Sequence, residues 1–172
     1  IENGAKPSCA AGHSLGEYAA LTLAGSFDFR TGLNLVKIRA LEMQKAGKST
    51  KGTMAAILGL DDDIVSDICR DYAEGVVVAA NYNAKGQVVI SGEIESVKNT
   101  MDKMLSAGAS KAIQLNVSGA FHSPLMSDAK EALTQELLSI DIKDSRIPVY
   151  ANVSSKAINK SSNIRQALID QL

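Results

Sequence analysis

The spacing of apolar residues divides the chain into alternating strands and helices. Apolar positions three and four residues apart are typical of helices, whereas short apolar or alternating runs are typical of strands. The pattern predicts strands over residues 6–11, 53–58, 76–80, 87–91, 111–117 and 147–153. It predicts helices over residues 15–24, 28–46, 61–72, 94–107, 124–140 and 161–172. The alternation of the two types indicates the α/β class.

Capping and helix-terminating residues lie at several ends of the predicted helices. Asp28 and Ser123 carry side-chain acceptors of the kind that cap helix N-termini, and Pro124 suits a first helical turn. Gly25 and Gly108 follow predicted helices and favour their termination. Residues 47–52, rich in Gly, Lys, Ser and Thr, predict a linker.

The middle of the chain has the order strand, helix, strand, strand, helix, strand. This is the order of a ferredoxin-like unit, which closes on itself. We therefore predict a small ferredoxin-like subdomain over residues 51–117, inserted into a larger subdomain made of residues 1–50 and 118–172.

Composition and charge disfavour several classes of protein. The chain has 172 residues, of which 45% are apolar and 22% charged, and this suits one globular domain rather than a disordered chain. A net charge of −1 argues against a nucleic-acid surface or a polybasic membrane anchor. Two cysteines and two histidines disfavour a disulfide framework, a cysteine zinc site and a His-rich metal site.

A Gly-x-Ser-x-Gly motif lies at the junction of the first predicted strand and helix. Gly12, Ser14 and Gly16 have the spacing of a nucleophile elbow, in which a sharp turn holds the serine hydroxyl clear of the backbone. The backbone N–H of Leu15, at the positive end of the helix, is the natural first donor to an oxyanion. The alternative interpretation is an ordinary Gly-rich turn between a strand and a helix.

A serine nucleophile needs a base, and the chain offers two histidines. His13 is adjacent to Ser14, and neighbouring side chains usually point apart. His122 lies just before a predicted helix N-terminus, where a cation is disfavoured, so its imidazole is favoured in the neutral form that a general base requires. Without a nucleophile nearby, His122 would be a surface or capping residue. We predict that His122 is the base for Ser14.

An arginine lies on the apolar face of a predicted helix. Arg39 is at helical spacing from Leu35, Val36 and Met43. Because a buried unpaired charge is costly, Arg39 requires an anionic partner. One interpretation is a snorkelling side chain or an internal ion pair, and the other is a bidentate clamp for a substrate carboxylate.

Four motifs, in order along essentially the whole chain, resemble those of malonyl-CoA:acyl carrier protein transacylases, which are acyltransferases of fatty acid and polyketide synthesis. These motifs are residues 12–21 (GHSLGEYAAL), residues 38–44 with 52–57, residues 81–83 with 86–92, and residues 117–126 (VSGAFHSPLM).

The resemblance implies a fold and a set of roles. The fold would be an α/β-hydrolase-like large subdomain with a ferredoxin-like small subdomain inserted. Ser14 would be acylated and His122 would be its base. Arg39 would bind the free carboxylate of malonyl, and Leu15 would give one oxyanion N–H. Phe121, immediately before the histidine, would favour malonyl over a branched extender group.

The resemblance also implies the partners and the setting. Malonyl-CoA would be the substrate and acyl carrier protein the acceptor, through a malonyl-serine intermediate, with no cofactor, metal, nucleic acid or membrane. The sequence pI of 6.2 and the absence of a targeting signal favour a cytoplasmic, stand-alone enzyme. Members of the family are longer at both ends, so we expect a fragment with an incomplete large subdomain. The Gly-Gln-Gly motif of the second oxyanion donor and the glutamine that orients the histidine would lie outside it.

Two other functions share some of these features. A serine esterase or thioesterase would also use Ser14 and His122, but it would have no need for Arg39 on an apolar face. A non-catalytic fragment or carrier-binding module would use neither residue for chemistry.

Overall fold

The computed structural model describes Gly4 and residues 6–172, and it shows an α/β protein. The chain forms two compact units. The first unit comprises the described residues of Ile1–Leu41 together with Lys130–Leu172, and the second unit comprises Glu42–Ala129.

The described residues form short strands and longer helices. The strands are β1 (Ala10–Ala11), β2 (Gly52–Leu58), β3 (Val77–Ala84), β4 (Gln87–Glu93), β5 (Lys111–Gln114), β6 (Val149–Tyr150) and β7 (Ala157–Ile158). The helices are α1 (Gly16–Ala24), α2 (Phe29–Ser49), α3 (Asp62–Arg70), α4 (Ile94–Ser106), α5 (Ser127–Ser139) and α6 (Ser161–Asp170). A single 3₁₀ turn, Pro124–Met126, precedes α5 in this part of the chain.

The first unit contains a three-stranded sheet in the order β1-β6-β7. β1 pairs in parallel with β6, and β7 pairs antiparallel to β6. The core is made of aliphatic side chains that are shielded from solvent, namely Leu21, Leu35, Leu133, Leu137, Ile164 and Leu168. In the chain order, β1 leads directly into the turn that starts at Gly12, and α1 begins where that turn ends.

The second unit contains a four-stranded antiparallel sheet in the order β3-β4-β2-β5. β2 lies at the centre and pairs with β4 over its whole length, with Ala55 opposite Ile90. The helices α3 and α4 share one apolar core with this sheet, in which Ile57, Val65 and Met104 are buried. The sequence order of strands and helices predicted for this region is present.

The helix caps predicted from the sequence are present. The carboxylate of Asp28 accepts a hydrogen bond from the backbone N–H of Thr31 at 2.7 Å. Ser123 Oγ accepts one from the N–H of Leu125 at 3.3 Å, and Pro124 occupies the first turn that follows. Gly25 ends α1 with a left-handed φ of 81°.

The predicted strands at residues 6–11 and 147–153 are wrong in length. Only Ala10–Ala11 and Val149–Tyr150 form a ladder. Residues 6–9 are exposed and have no strand beside them, so their small and apolar character does not produce a strand. The same cause shortens the predicted strand 111–117, because the β5 ladder with β2 ends at Gln114.

Two predicted loop segments are also wrong. The predicted linker 47–52 begins inside α2, which continues to Ser49. Gly47 is required there by close packing, since a Cβ at this position would lie 2.7 Å from the carbonyl oxygen of Ser118. The segment between the predicted strands 76–80 and 87–91 is also partly strand, because the β3 ladder with β4 extends to Ala84 through two register shifts.

Among the described residues, no helix combines the length and the apolar character that crossing a membrane requires.

Candidate active site

Ser14 lies on a sharp turn between β1 and α1. β1 ends at Ala11 and α1 begins at Gly16, so four residues reverse the direction of the chain. Ser14 has a φ of 50°, which is in the left-handed region that a non-glycine residue rarely adopts. Such strain is concentrated at functional sites, where the surrounding structure holds it in place. The strand–turn–helix context that a nucleophile elbow requires is therefore present.

The two glycines of the motif have different roles. A Cβ on Gly12 would lie 2.0 Å from the carbonyl carbon of Gly16 and 2.6 Å from the backbone nitrogen of Glu17. A Cβ on Gly16 would meet nothing within 4 Å. The tightness of the turn therefore depends on Gly12.

We expect Gly12→Ala to lower the free energy of unfolding by about 1–3 kcal/mol or more, because the added methyl group meets backbone atoms that cannot rotate away. Gly16→Ala is the matched control and should be neutral or slightly stabilising, since alanine favours the helix. Urea denaturation of both variants measures the difference. Equal stabilities would show that the turn does not need a glycine at position 12.

The first turn of α1 leaves one backbone donor beside the serine. The N–H groups of Gly16, Glu17 and Tyr18 each donate to the carbonyl three residues earlier, at 2.9–3.2 Å. The N–H of Leu15 has no such partner within the described part of the chain. It lies at the positive end of the helix, where a developing oxyanion is stabilised.

Arg39 contacts the serine hydroxyl. Its Nη2 donates a hydrogen bond to Ser14 Oγ at 2.8 Å, although the two residues are 25 positions apart in sequence. The guanidinium is buried, with 5% of Arg39 exposed, and its carbon lies 5.9 Å from the centre of the Tyr18 ring. The structure therefore brings together Ser14, Leu15 and Arg39 in the first unit.

The buried guanidinium of Arg39 has no anionic partner among the described residues. None of the ion pairs in this part of the chain includes Arg39, and its Nε is buried without a hydrogen-bond partner there. Burial lowers the pKa of Arg39, and the Tyr18 phenol opposes that shift. Burial also raises the pKa of Tyr18 to about 12, so the phenol does not supply the missing anion at neutral pH. An anionic group that bound beside Ser14 would relieve the cost of this buried charge.

Phe121 and His122 belong to the second unit. Both are half-buried, and His122 has a left-handed φ of 57° immediately before the capping residue Ser123. The Ser123 hydroxyl also donates to the carbonyl of Ala120 at 2.7 Å, which ties the ends of this turn together. His122 therefore shares with Ser14 the left-handed backbone conformation that non-glycine residues rarely adopt. The other histidine, His13, is exposed.

Three polar residues that the sequence analysis did not identify surround the turn at Ser14. Asn152 Oδ1 accepts a hydrogen bond from the Ser14 N–H at 2.8 Å, and Gln171 Nε2 donates to the Ser14 carbonyl at 3.1 Å. Glu17 Oε2 accepts from Asn152 Nδ2 at 2.9 Å and also from Gln171 Nε2. Burial raises the pKa of the Glu17 carboxyl, and these hydrogen bonds oppose the shift.

One signal in the sequence could have located Asn152. It lies in the predicted strand 147–153, just beyond the observed β6, which pairs in parallel with the strand before Ser14. The carboxyl ends of parallel strands meet at one edge of a sheet. Gln171 has no comparable signal, because it follows the end of a helix whose position depends on tertiary packing.

The chain matches the family described as acyl transferase domain over residues 2–168. It is 41% identical over 173 residues to the malonyl CoA-acyl carrier protein transacylase of Bacillus subtilis, covering 99% of this chain and 55% of the relative. It is 42% identical over 172 residues to the protein of the same name from Escherichia coli (strain K12), covering 99% and 56%. The chain thus spans about half the length of the curated relatives it matches.

Solved structures of proteins named as malonyl transacylases also match the chain. The malonyl CoA-acyl carrier protein transacylase of Coxiella burnetii matches with a TM-score of 0.93 and 40% identity, covering 98% of this chain and 54% of that one. A malonyl-transacylase solved in complex with its type II polyketide synthase acyl carrier protein matches with a TM-score of 0.94 and 41% identity, covering 99% and 56%.

Proposed function

Because the chain belongs to the acyl transferase domain family, we propose that it transfers a malonyl group from malonyl-CoA to the phosphopantetheine thiol of acyl carrier protein in fatty acid biosynthesis. Its relatives from Bacillus subtilis and Escherichia coli are named malonyl CoA-acyl carrier protein transacylases, which supports this transfer. One of the matching structures is a complex with an acyl carrier protein, which supports the same acceptor for this chain.

The observation that carries the proposal is the contact between Arg39 and Ser14. A malonyl group has a free carboxylate close to the reacting thioester carbonyl. The buried Arg39 guanidinium is within hydrogen-bond distance of the serine hydroxyl and has no carboxylate partner among the described residues. A planar guanidinium pairs with a carboxylate through two hydrogen bonds, so it favours malonyl over a neutral acyl group.

The proposed reaction proceeds in two steps through a malonyl ester of Ser14. Ser14 Oγ attacks the thioester carbonyl carbon, His122 accepts the hydroxyl proton, and the C–S bond breaks to release CoA with that proton. The N–H of Leu15 donates to the oxyanion that forms between these events. The carrier thiol then attacks the ester carbonyl and gives its proton to His122. The bond between the carbonyl carbon and Ser14 Oγ breaks, the serine oxygen takes the proton from His122, and malonyl stays on the carrier as a thioester. The steps need no cofactor.

We propose a finer description of the fold on the same basis. The antiparallel order β3-β4-β2-β5, with the helices α3 and α4 packed on the sheet, supports a ferredoxin-like small subdomain over residues 51–117. Residues 1–50 and 118–172 would form part of an α/β-hydrolase-like large subdomain. Phe121, beside the histidine, would restrict the acyl site to the unbranched malonyl group.

Substitution of Arg39 tests the substrate. In the complete protein, Arg39→Ala should lower kcat/KM for malonyl-CoA by a factor equivalent to about 2–5 kcal/mol, because a desolvated carboxylate loses its partner. The same change should leave acetyl-CoA turnover unchanged or improved, since no unpaired cation then lines the acyl site. Arg39→Lys keeps the charge but loses the planar fork, so it should fall between the two. Arg30→Ala, an exposed arginine on the same helix, is the matched control.

The measurement is kcat/KM for both acyl-CoA substrates in all four proteins. Equal losses for malonyl-CoA and acetyl-CoA in Arg39→Ala would make Arg39 a structural residue. That result would contradict the proposed substrate and would favour a serine esterase or thioesterase that uses the same nucleophile.

A further inference from the structure

The strained backbone of Ser14 is held on both sides by side chains that lie far away in sequence. The Ser14 N–H donates to Asn152 Oδ1 at 2.8 Å, and its carbonyl accepts from Gln171 Nε2 at 3.1 Å. These partners are 138 and 157 positions away. A left-handed φ at a non-glycine residue costs about 1–3 kcal/mol and persists only where the surroundings impose it. The two amides hydrogen-bond the N–H and the carbonyl of this residue, and so they help to hold it.

Glu17 joins the two amides into one cluster. Its Oε2 accepts hydrogen bonds from Gln171 Nε2, from Asn152 Nδ2 at 2.9 Å and from the Asn152 backbone N–H at 3.3 Å. Asn152 Nδ2 also donates to the carbonyl of Gly12, so Asn152 binds both ends of the turn. Glu17 is fully buried and Gln171 is 6% exposed, so water competes little for these hydrogen bonds.

We propose that Glu17, Asn152 and Gln171 form a positioning cluster that fixes the backbone of Ser14 and thereby sets the direction of its hydroxyl during malonyl loading. This inference rests on the proposed function, since it assigns the cluster to the same nucleophile. Asn152 and Gln171 contact the backbone of the turn and Glu17 contacts those two residues, whereas the Ser14 hydroxyl is contacted by Arg39. They are therefore positioning residues and act through Ser14.

The two carboxylate oxygens of Glu17 differ in their hydrogen bonds, and a substitution can test this difference. One oxygen of Glu17 accepts all three hydrogen bonds, while the other, Oε1, is buried without a hydrogen-bond partner among the described residues. The amide oxygen of a glutamine can occupy the position of Oε2, with its NH₂ group at the position of Oε1. We therefore expect an uncharged acceptor at this position to keep the cluster together.

The experiment separates the loading step from substrate binding in the complete protein. Single-turnover mixing with malonyl-CoA gives the first-order rate constant for malonylation of Ser14 at saturation, together with the concentration that half-saturates it. In Asn152→Ala and Gln171→Ala the rate constant should fall by about 10²-fold, the cost of misplacing a reacting group by roughly 1 Å. The half-saturating concentration should not change, because Arg39 still binds the carboxylate.

Two comparisons test the assignment to the cluster. Gln166→Ala, which removes an exposed amide from α6, the helix that precedes Gln171, should load malonyl at the parental rate. Glu17→Gln should recover a large part of the rate that Glu17→Ala loses, because it restores the acceptor. A structural role alone would shift the rate, the half-saturating concentration and the melting temperature together.

The outcomes distinguish this inference from the proposed function. A parental loading rate in Gln171→Ala, or a Glu17→Gln variant as slow as Glu17→Ala, would overturn the positioning cluster. If Asn152→Ala does not fold, Gln171→Ala and the Glu17 pair decide the question. Malonyl loading that persists in Ser14→Ala would instead overturn the proposed function, whatever the cluster variants do.

Discussion

In the complete protein, replacement of Ser14 by alanine is expected to abolish covalent malonyl loading and transfer to acyl carrier protein. The substitution removes the hydroxyl that forms the ester intermediate, and no neighbouring oxygen on the turn can take its place. Arg39 keeps its stacking contact with Tyr18 and remains available to bind a carboxylate, so malonyl-CoA should still bind. Intact-mass measurement after mixing with malonyl-CoA should show one added malonyl group in the parent protein and none in the variant.

A second serine provides a matched control for this prediction. Ser155 also has a left-handed φ, of 53°, and it lies exposed in the first unit between β6 and β7. Ser155→Ala therefore introduces alanine at the same kind of backbone conformation without touching the turn at Ser14. It should keep full malonyl loading. A malonyl group that still adds to Ser14→Ala would mean that the nucleophile is another residue.

The helices were largely predictable because their signals are local. Asp28 caps the first turn of α2, and Gly25 ends the last turn of α1. Each signal lies within one helical turn of the helix end that it sets, so these ends follow from neighbouring residues. The end of α2 was not predictable in this way. Gly47 suggests a loop, but the helix continues because the absence of a side chain allows close contact with the backbone at Ser118.

The strands of the first unit were less predictable because a strand exists only where another strand pairs with it. Residues 6–11 are mostly small or apolar and resemble a buried strand, yet residues 6–9 have no ladder partner in the structure. The sheet of the second unit was easier to predict, since β2 and β4 are both apolar and pair along their whole lengths. Ladder partners, and not the apolar pattern alone, decide where a strand ends.

The candidate site was predictable for residues whose side-chain type and local spacing together indicate a chemical role. Ser14 follows from the spacing of two glycines, and Arg39 from a charge on an apolar helix face. Their hydrogen bond depends on how α1 packs beside α2, and no local pattern describes that. The amides of Asn152 and Gln171 escaped prediction because amides are common on surfaces, and only their tertiary contacts distinguish these two.

Replacement of His122 by alanine is expected to slow malonyl loading by roughly 10²–10⁴-fold, which is the usual contribution of a positioned general base. The serine hydroxyl must lose its proton as the C–O bond forms, and a neutral imidazole is the side chain suited to accept it. Because imidazole titrates between about pH 5 and 8, the loading rate of the parent protein should fall as the pH is lowered through that range. The residual rate of His122→Ala should lack this dependence.

The other histidine of the chain is the control. His13 is adjacent to Ser14 but exposed, and its backbone carbonyl, which accepts from the Gly16 N–H at 2.9 Å, is retained in His13→Ala. This variant should therefore load malonyl at close to the parental rate and keep the same pH profile. Single-turnover rates across the pH range, with chemistry as the slow step, provide the measurement. A flat profile in the parent protein would show that His122 is not the base, because protonation of its imidazole must stop proton transfer from Ser14. An equal loss in His13→Ala would contradict the assignment of the effect to His122 specifically.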